Sequence, residues 1–150
     1  MFYGATGTGK TLLAAIVAQE KMGRGVSVIF VSVPDFLMDI RDSFGTGRTA
    51  EILRSVRQVP CLVLDDLGAE RMSEWVAEQV FAIVNYRSQN LLQTIITSNY
   101  GLKALAGRMG AATKGNIAEG DMQGRRILSR FCGMCHIVEF KGRDFRMQGA

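Results

Sequence analysis

Residues 4–11 read Gly4-Ala5-Thr6-Gly7-Thr8-Gly9-Lys10-Thr11 and fit G-x-x-x-x-G-K-[ST] at every required position. The spacing predicts a phosphate-gripping loop. Glycines let the backbone curl until its N–H groups face phosphate oxygens. The lysine of such a loop reaches the β- and γ-phosphates, and the hydroxyl after it is a magnesium ligand. Leu12, Leu13, Ile16 and Val17 follow at helical spacing, with Gly23 placed to stop the helix. The N-terminal end of that helix adds its partial positive charge to the anion site. The residues expected to hold a nucleotide are therefore Gly4, Ala5, Thr6, Gly7, Thr8, Gly9, Lys10, Thr11 and Leu12.

Working outward, the chain alternates strands with helices. Residues 26–33 (VSVIFVSV) form a nearly continuous apolar, β-branched run, which predicts a strand buried on both faces. Pro34 opens a helix carrying Phe36, Leu37 and Ile40 on one side, and a second helical stretch runs from Ala50 to Gln58. Cys61–Leu64 is a short buried strand ending in two aspartates, and Ser73 is an N-cap for a long helix with Val76, Val80, Ile83 and Val84 inward. Residues 94–97 (TIIT) make the next strand, residues 101–121 carry no clear pattern, and a helix over 123–132 precedes a strand over 136–140. Such alternation predicts a parallel sheet covered on both sides, with ligands beyond the carboxyl ends of its strands.

Two strand ends carry the chemistry expected there. Asp65 and Asp66 follow Leu62-Val63-Leu64. Asp65 is expected to hold Mg²⁺ through its water shell, since that ion prefers hard oxygens and keeps several waters. Asp66 is expected to orient or deprotonate an attacking water. Asn99, closing Thr97-Ser98-Asn99, is a candidate to bond that water or the γ-phosphate. Arg126 and Arg130, four apart on one helical face, are candidates to stabilise a transferring phosphoryl group from a neighbouring subunit. Two surface arginines bridging to carboxylates are the plain alternative.

The 150 residues are 47% hydrophobic and 21% charged, which suits one soluble globular domain over 1–150. No apolar run approaches the roughly 18 residues of a membrane span, and no basic-then-apolar leader opens the chain, so the cytoplasm is expected and no membrane partner. Residues 101–150 hold 9 Lys/Arg against 4 Asp/Glu, while residues 1–100 hold 9 against 10. A basic flank of this kind suits nucleic acid or a neighbour's γ-phosphate, as well as plain solvent. Cys132-Gly133-Met134-Cys135-His136 fits the haem-attachment pattern C-x-x-C-H. With no export signal, and with Cys61 the only other cysteine and His136 the only histidine, no haem or metal is expected there, and packing is.

Taken together, GATGTGKT, VSVPDFL, LVLDDLGAERMSEW, VNYR, TIITSN, GRRILSRF and GMCHIVEF resemble the AAA+ ATPases of the DnaC/DnaI helicase-loader type and the related IstB-like transposition helpers. The resemblance covers nearly the whole chain. It implies an α/β P-loop fold, a three-layer sandwich with strand order 5-1-4-3-2, and ATP and Mg²⁺ as ligands. It implies an ATPase that self-associates through the ATP site, with single-stranded DNA and a replicative helicase as partners. It also implies Lys10 and Thr11 as the nucleotide grip, Asp65 and Asp66 as the acidic pair, Asn99 as a sensor, and Arg130 as an arginine finger with Arg126 second. Arg146, in a family-like tail, receives no role.

Departures from that pattern are also read here. Only Met1-Phe2-Tyr3 precede the loop, so the first strand is expected as a stub and the N-terminal helicase-gripping region as absent. Few residues follow the last strand, so no helical lid is expected. The expectation is an isolated ATPase core in which helicase binding is doubtful. An ATP-dependent DNA-binding adaptor of the IstB type with little catalysis is the alternative, with Arg41, Arg48, Arg54 and Arg57 along a single-strand path. A nucleotide kinase fits poorly, for want of an acceptor site and an arginine-rich lid.

Overall fold

The computed structural model describes residues 1–112 and 117–146; the side chains at 117–121 and 123 are outside that description. Five parallel strands, β1 (Phe2–Gly4), β2 (Val28–Ser32), β3 (Cys61–Asp65), β4 (Gln93–Ser98) and β5 (Val138–Phe140), form one sheet in the order β2-β3-β4-β1-β5. This is the expected order 5-1-4-3-2 read from the other edge. The first strand is three residues long, yet it sits inside the sheet, with Phe2 opposite both Thr97 and Val138.

The connections are α1 (Lys10–Gly23), α2 (Val33–Asp42), α3 (Thr49–Gln58), α4 (Glu74–Gln89), α5 (Leu102–Ala111) and α6 (Ile117–Met134). Strand β3 is buried at all five positions, and its side chains alternate between faces. Leu62 and Leu64 join the main core with Phe36, Ile40, Ile83, Val84, Ile127 and Phe131, whereas Val63 meets Ala14 and Ala18 of α1 on the opposite face. Each such aliphatic side chain contributes about 1.5–3 kcal/mol by leaving water. The result is helix, sheet, helices.

Two expectations need correction, and one helix buries a face that its apolar spacing does not mark. The 26–33 run is not a strand buried on both faces: β2 is an edge strand, half-buried, with Phe30 42% exposed. Helix α1 does not bury its large residues. Leu12 (66%) and Ile16 (52%) face outward, and Ala14 and Ala18, four apart with Lys10, lie against the sheet. Small side chains let the helix approach the strands closely, so the alanine period decides the buried face. Finally, the stretch without pattern contains α5, and α6 begins earlier than residue 123. Gly124 of α6 lies against Ala106 of α5, where a Cβ would stand 2.8 Å from the Ala106 carbonyl oxygen.

The expected helix caps hold. Ser73 Oγ accepts the Val76 N–H at 3.3 Å, and Pro34 stands in the first turn of α2. Cys135 packs on the core as expected, but Cys132 is exposed. Among the described residues no three His, Cys, Asp or Glu converge on a metal-sized point. No described helix is long and apolar enough to cross a membrane.

At the end of the sheet opposite the phosphate loop, Arg87 is wholly buried, and among the described residues it has no carboxylate partner. Its Nη1 donates to the carbonyls of Val56, Arg57 and Val59, its Nη2 to Gln93 O, and its Nε to Thr94 Oγ1, all at 2.6–3.1 Å. Burial pushes the guanidinium down to about 10, so it remains charged at neutral pH. The carbonyls it meets are the negative end of α3, which favours a cation. One side chain thus ties α3, α4 and β4 together. Arg87→Met should destabilise the fold by on the order of 3 kcal/mol, because several buried acceptors lose their donors at once. Arg87→Lys should recover little of this, having no planar fork. Urea unfolding of the two variants checks both expectations.

Candidate nucleotide site

The loop between β1 and α1 passes through left-handed backbone at Gly7 (φ 73°) and Gly9 (φ 92°). Gly9 caps α1 without a side-chain bond, so the first-turn N–H groups of α1 are left to an anion rather than a hydroxyl cap. Lys10 Nζ donates to the carbonyls of Gly4 (2.9 Å) and Ala5 (2.7 Å), and Thr8 Oγ1 donates to Ala5 O (2.8 Å). Burial lowers the Lys10 proton affinity. Asp66 and Asp65 work against that shift, while Arg146 adds to it.

Opposite the loop, the end of β3 divides two neighbouring carboxylates between different tasks. Asp65 points inward, 8% exposed. It accepts the Thr11 hydroxyl at 3.0 and 3.2 Å and the Thr97 hydroxyl at 2.6 Å. Asp66 adopts left-handed backbone, φ 58°, which costs a non-glycine residue about 1–2 kcal/mol. Two bonds to β4 hold it: Asp66 N–H to Thr97 Oγ1 at 2.9 Å, and Leu67 N–H to Thr97 O at 2.9 Å. The kink turns Asp66 toward a cleft of about 540 Å³ lined by Thr6 to Leu12, Asp66, Asn99, Phe145 and Arg146. Beyond the kink, Gly68 N–H bonds the Glu70 carboxylate, whose proton affinity burial raises.

The structure therefore brings Thr6, Gly7, Thr8, Gly9, Lys10, Thr11, Leu12, Asp66 and Asn99 to one cavity. Gly4 and Ala5 stand behind it, their carbonyls turned to Lys10, and Asp65 stands behind Thr11. Arg126 and Arg130 lie elsewhere, in a second groove between α4 and α6. The arginines of the expected single-strand path differ in setting, with Arg54 simply exposed. Arg41 lies over Trp75 at 5.0 Å, Arg48 borders a cleft with Asp39 and Asp42, and Arg57 is half-buried.

Two contributions escaped the sequence reading. In the sequence Thr97 is only part of a strand, yet it holds both aspartates. Its signal was a hydroxyl beside a strand-end carboxylate, legible only once the β3–β4 register is known. The tail is the other. Phe145 N–H donates to Gly7 O at 3.1 Å, and Asp144 packs so closely on Gly7 that a Cβ there would stand 1.6 Å from Asp144 Oδ1. This contact carries Phe145 and Arg146 to the cleft.

The donor set fits Mg²⁺. A Thr11 hydroxyl bonded to the Asp65 carboxylate supplies hard oxygens from one side only, as suits an ion that completes its shell with phosphate and water. The cleft's volume is also that of an ordinary small-molecule site.

The model of the IstB-like ATP binding protein family matches residues 1–150. The chain belongs to that family. Among relatives, the replicative helicase loader DnaI of Bacillus subtilis (strain 168) is 29% identical over 145 residues, covering 96% of this chain and 46% of that protein. A crystal structure of DnaI superposes with a TM-score of 0.82 at 33% identity, covering 93% of this chain and 71% of the other. The replication initiator DnaA bound to AMPPCP and single-stranded DNA gives 0.74 at 27% identity, covering 95% and 40%. The chain thus spans under half the length of this curated family relative. The fold is that of the AAA+ P-loop proteins.

Thr97→Val keeps the shape of the side chain but takes one of two hydroxyl donors from Asp65 and leaves the Asp66 N–H without its acceptor. It should cost about 2 kcal/mol of stability, with Thr97→Ser retaining most of the wild-type value. Denaturant titration of the pair checks this.

Proposed function

We propose that this chain is an ATP-binding and ATP-hydrolysing module of the helicase-loader type, acting in DNA replication by ATP-dependent assembly on single-stranded DNA and a replicative helicase. The observation that carries the reading is the division of labour at the end of β3. Asp65 is clamped behind the loop by Thr11 and Thr97, and Asp66 is kinked into the cleft that Lys10 and Asn99 share. A loop that only gripped phosphate would have no use for a strained second aspartate.

In this reading the triphosphate lies on the loop N–H groups at the start of α1. Lys10 exchanges its two carbonyl acceptors for phosphate oxygens, a stronger charge-assisted bond. Thr11 and Asp65 would hold Mg²⁺, which when bound neutralises charge on the β- and γ-phosphates. Asp66 orients the water, Asn99 bonds it or the γ-phosphate, and Arg130 of an adjoining copy meets the charge that develops on transfer. Arg146 supplies a further cation from the copy's own tail, since it lines the cleft and lies within electrostatic reach of Lys10.

The likeness to DnaI supports the loader role, and the likeness to nucleotide-bound, DNA-bound DnaA supports the ligands. Such work belongs in the cytoplasm. The family match over the whole chain also favours a second reading, an IstB-like adaptor that retains DNA in ATP with little turnover. Phosphate release separates the two. The first reading expects turnover that rises with protein concentration, whereas the second expects salt-sensitive DNA retention without it.

Asp66→Asn should bind ATP and not hydrolyse it, and Lys10→Ala should lose the nucleotide. Arg130→Ala should bind normally and turn over at least about a hundredfold more slowly at high protein concentration. Wild-type rates in Arg130→Ala would remove the finger assignment. Arg146→Ala should weaken ATP about tenfold, or 1.4 kcal/mol, and ADP by under about twofold. Equilibrium titration with both nucleotides reads the difference, and equal losses would place Arg146 away from the γ-phosphate.

A further inference from the structure

The groove between α4 and α6 holds a contact that none of the assigned roles uses. Arg130 Nε donates to Asn85 Oδ1 at 2.9 Å, across 45 residues of chain. Asn85 lies on α4 between the buried Val84 and Arg87, and Arg130 lies on α6 beside the buried Phe131. Both backbones are therefore fixed by the core. Phe81, Gln89, Met122 and Arg126 border the same opening, of about 520 Å³.

From this geometry we infer that Asn85 is a positioning residue, which aims the Arg130 guanidinium out of its own subunit and toward the nucleotide of the next copy. The inference rests on the finger reading above. Its physical content lies in which nitrogen is held and by what. A bond at Nε grips the guanidinium from the side and leaves the paired Nη groups at its tip, the fork that meets phosphate bidentately. The acceptor is a neutral amide oxygen, so it brings no counter-charge to the guanidinium. A carboxylate in the same place would compete with phosphate for the fork. Holding the side chain in one rotamer also removes, before the copies meet, entropy that a free arginine would lose on docking.

The neighbouring candidate lacks this support. Arg126 is exposed, and its described contact is Nη2 to Met122 Sδ at 3.7 Å, a weak acceptor on its own helix. Of two arginines one turn apart, Arg130 is the one whose described contacts reach a second helix.

Mixed assemblies test this. An Arg130→Ala copy keeps a working nucleotide site but offers no finger, and an Asp66→Asn copy offers a finger but cannot hydrolyse. Mixed at equal concentration, the two should release phosphate faster than either alone, because the site of the first meets the finger of the second. Asn85→Ala placed in the Asp66→Asn copy should then cut the rate of the mixture about tenfold at saturating ATP, with the half-saturating ATP concentration unchanged. The same change in the Arg130→Ala copy should leave the rate within about twofold, and it controls for folding, since an unfolded acceptor would abolish turnover. Asn85→Asp in the donor should also slow the mixture, by pairing with the finger. Equal losses from both placements, or none from the donor, would overturn the role of Asn85. Should the parent mixture be no faster than its separate components, the finger reading itself fails and this inference with it.

Discussion

The hydroxyl of Thr97 is the point on which the site turns. It donates to Asp65 and accepts from the Asp66 N–H, so one atom fixes both carboxylates at the end of β3. Without that bond the left-handed backbone of Asp66 would lose the contact that offsets its strain. The bond forms only because β3 and β4 run parallel in a set register, with Leu64 opposite Ile96, which places Thr97 beside the two aspartates. The phosphate loop is linked to the same pair through Thr11. Loop, acid pair and β4 are thus one hydrogen-bonded unit, and a shift in any member is felt by the others.

The same strand anchors the other end of the sheet. Thr94, three residues before Thr97, accepts from Arg87, which also binds carbonyls at the close of α3. Both threonines of TIIT therefore serve charged partners, while Ile95 and Ile96 between them fill the two faces of the sheet. A strand with so few residues can do this because β3 beside it is buried throughout and its register cannot slip without exposing an isoleucine. The clamp at Arg87 fixes where β4 begins, and the clamp at Thr97 uses where it ends. Stability and chemistry share a strand here, and both depend on satisfying buried polar groups rather than on apolar area alone.

Much of this was legible before any coordinates. The loop, the acid pair, Ser73 as a cap and the core face of α4 each rest on residues close together in the chain, where spacing alone carries the meaning. Other readings failed for identifiable reasons. The apolar run at 26–33 reads as a strand buried on both faces, but β2 lies at the edge of the sheet, where one flank has no neighbouring strand and Phe30 is exposed. The apolar spacing of α1 marks a helix but not its buried face, since a helix laid closely on a sheet uses its alanines there. The α5 region carried no signal because its burial depends on Gly124 of α6 letting the two helices touch.

Sequence by itself determined the chemistry on offer: a loop whose glycines and lysine accept phosphate, two adjacent carboxylates, and two arginines on one face of a late helix. Those properties are local, set by backbone freedom and side-chain type over a few residues. Only the tertiary structure decided which groups meet. It joined Thr97 to the aspartates across 32 residues, carried Arg146 from the tail to the cleft, and set Arg130 against Asn85 rather than in its own nucleotide site. The physical reason is that each of these is a short-range bond between groups distant in sequence, and its existence depends on strand register and helix packing that no single stretch of residues encodes.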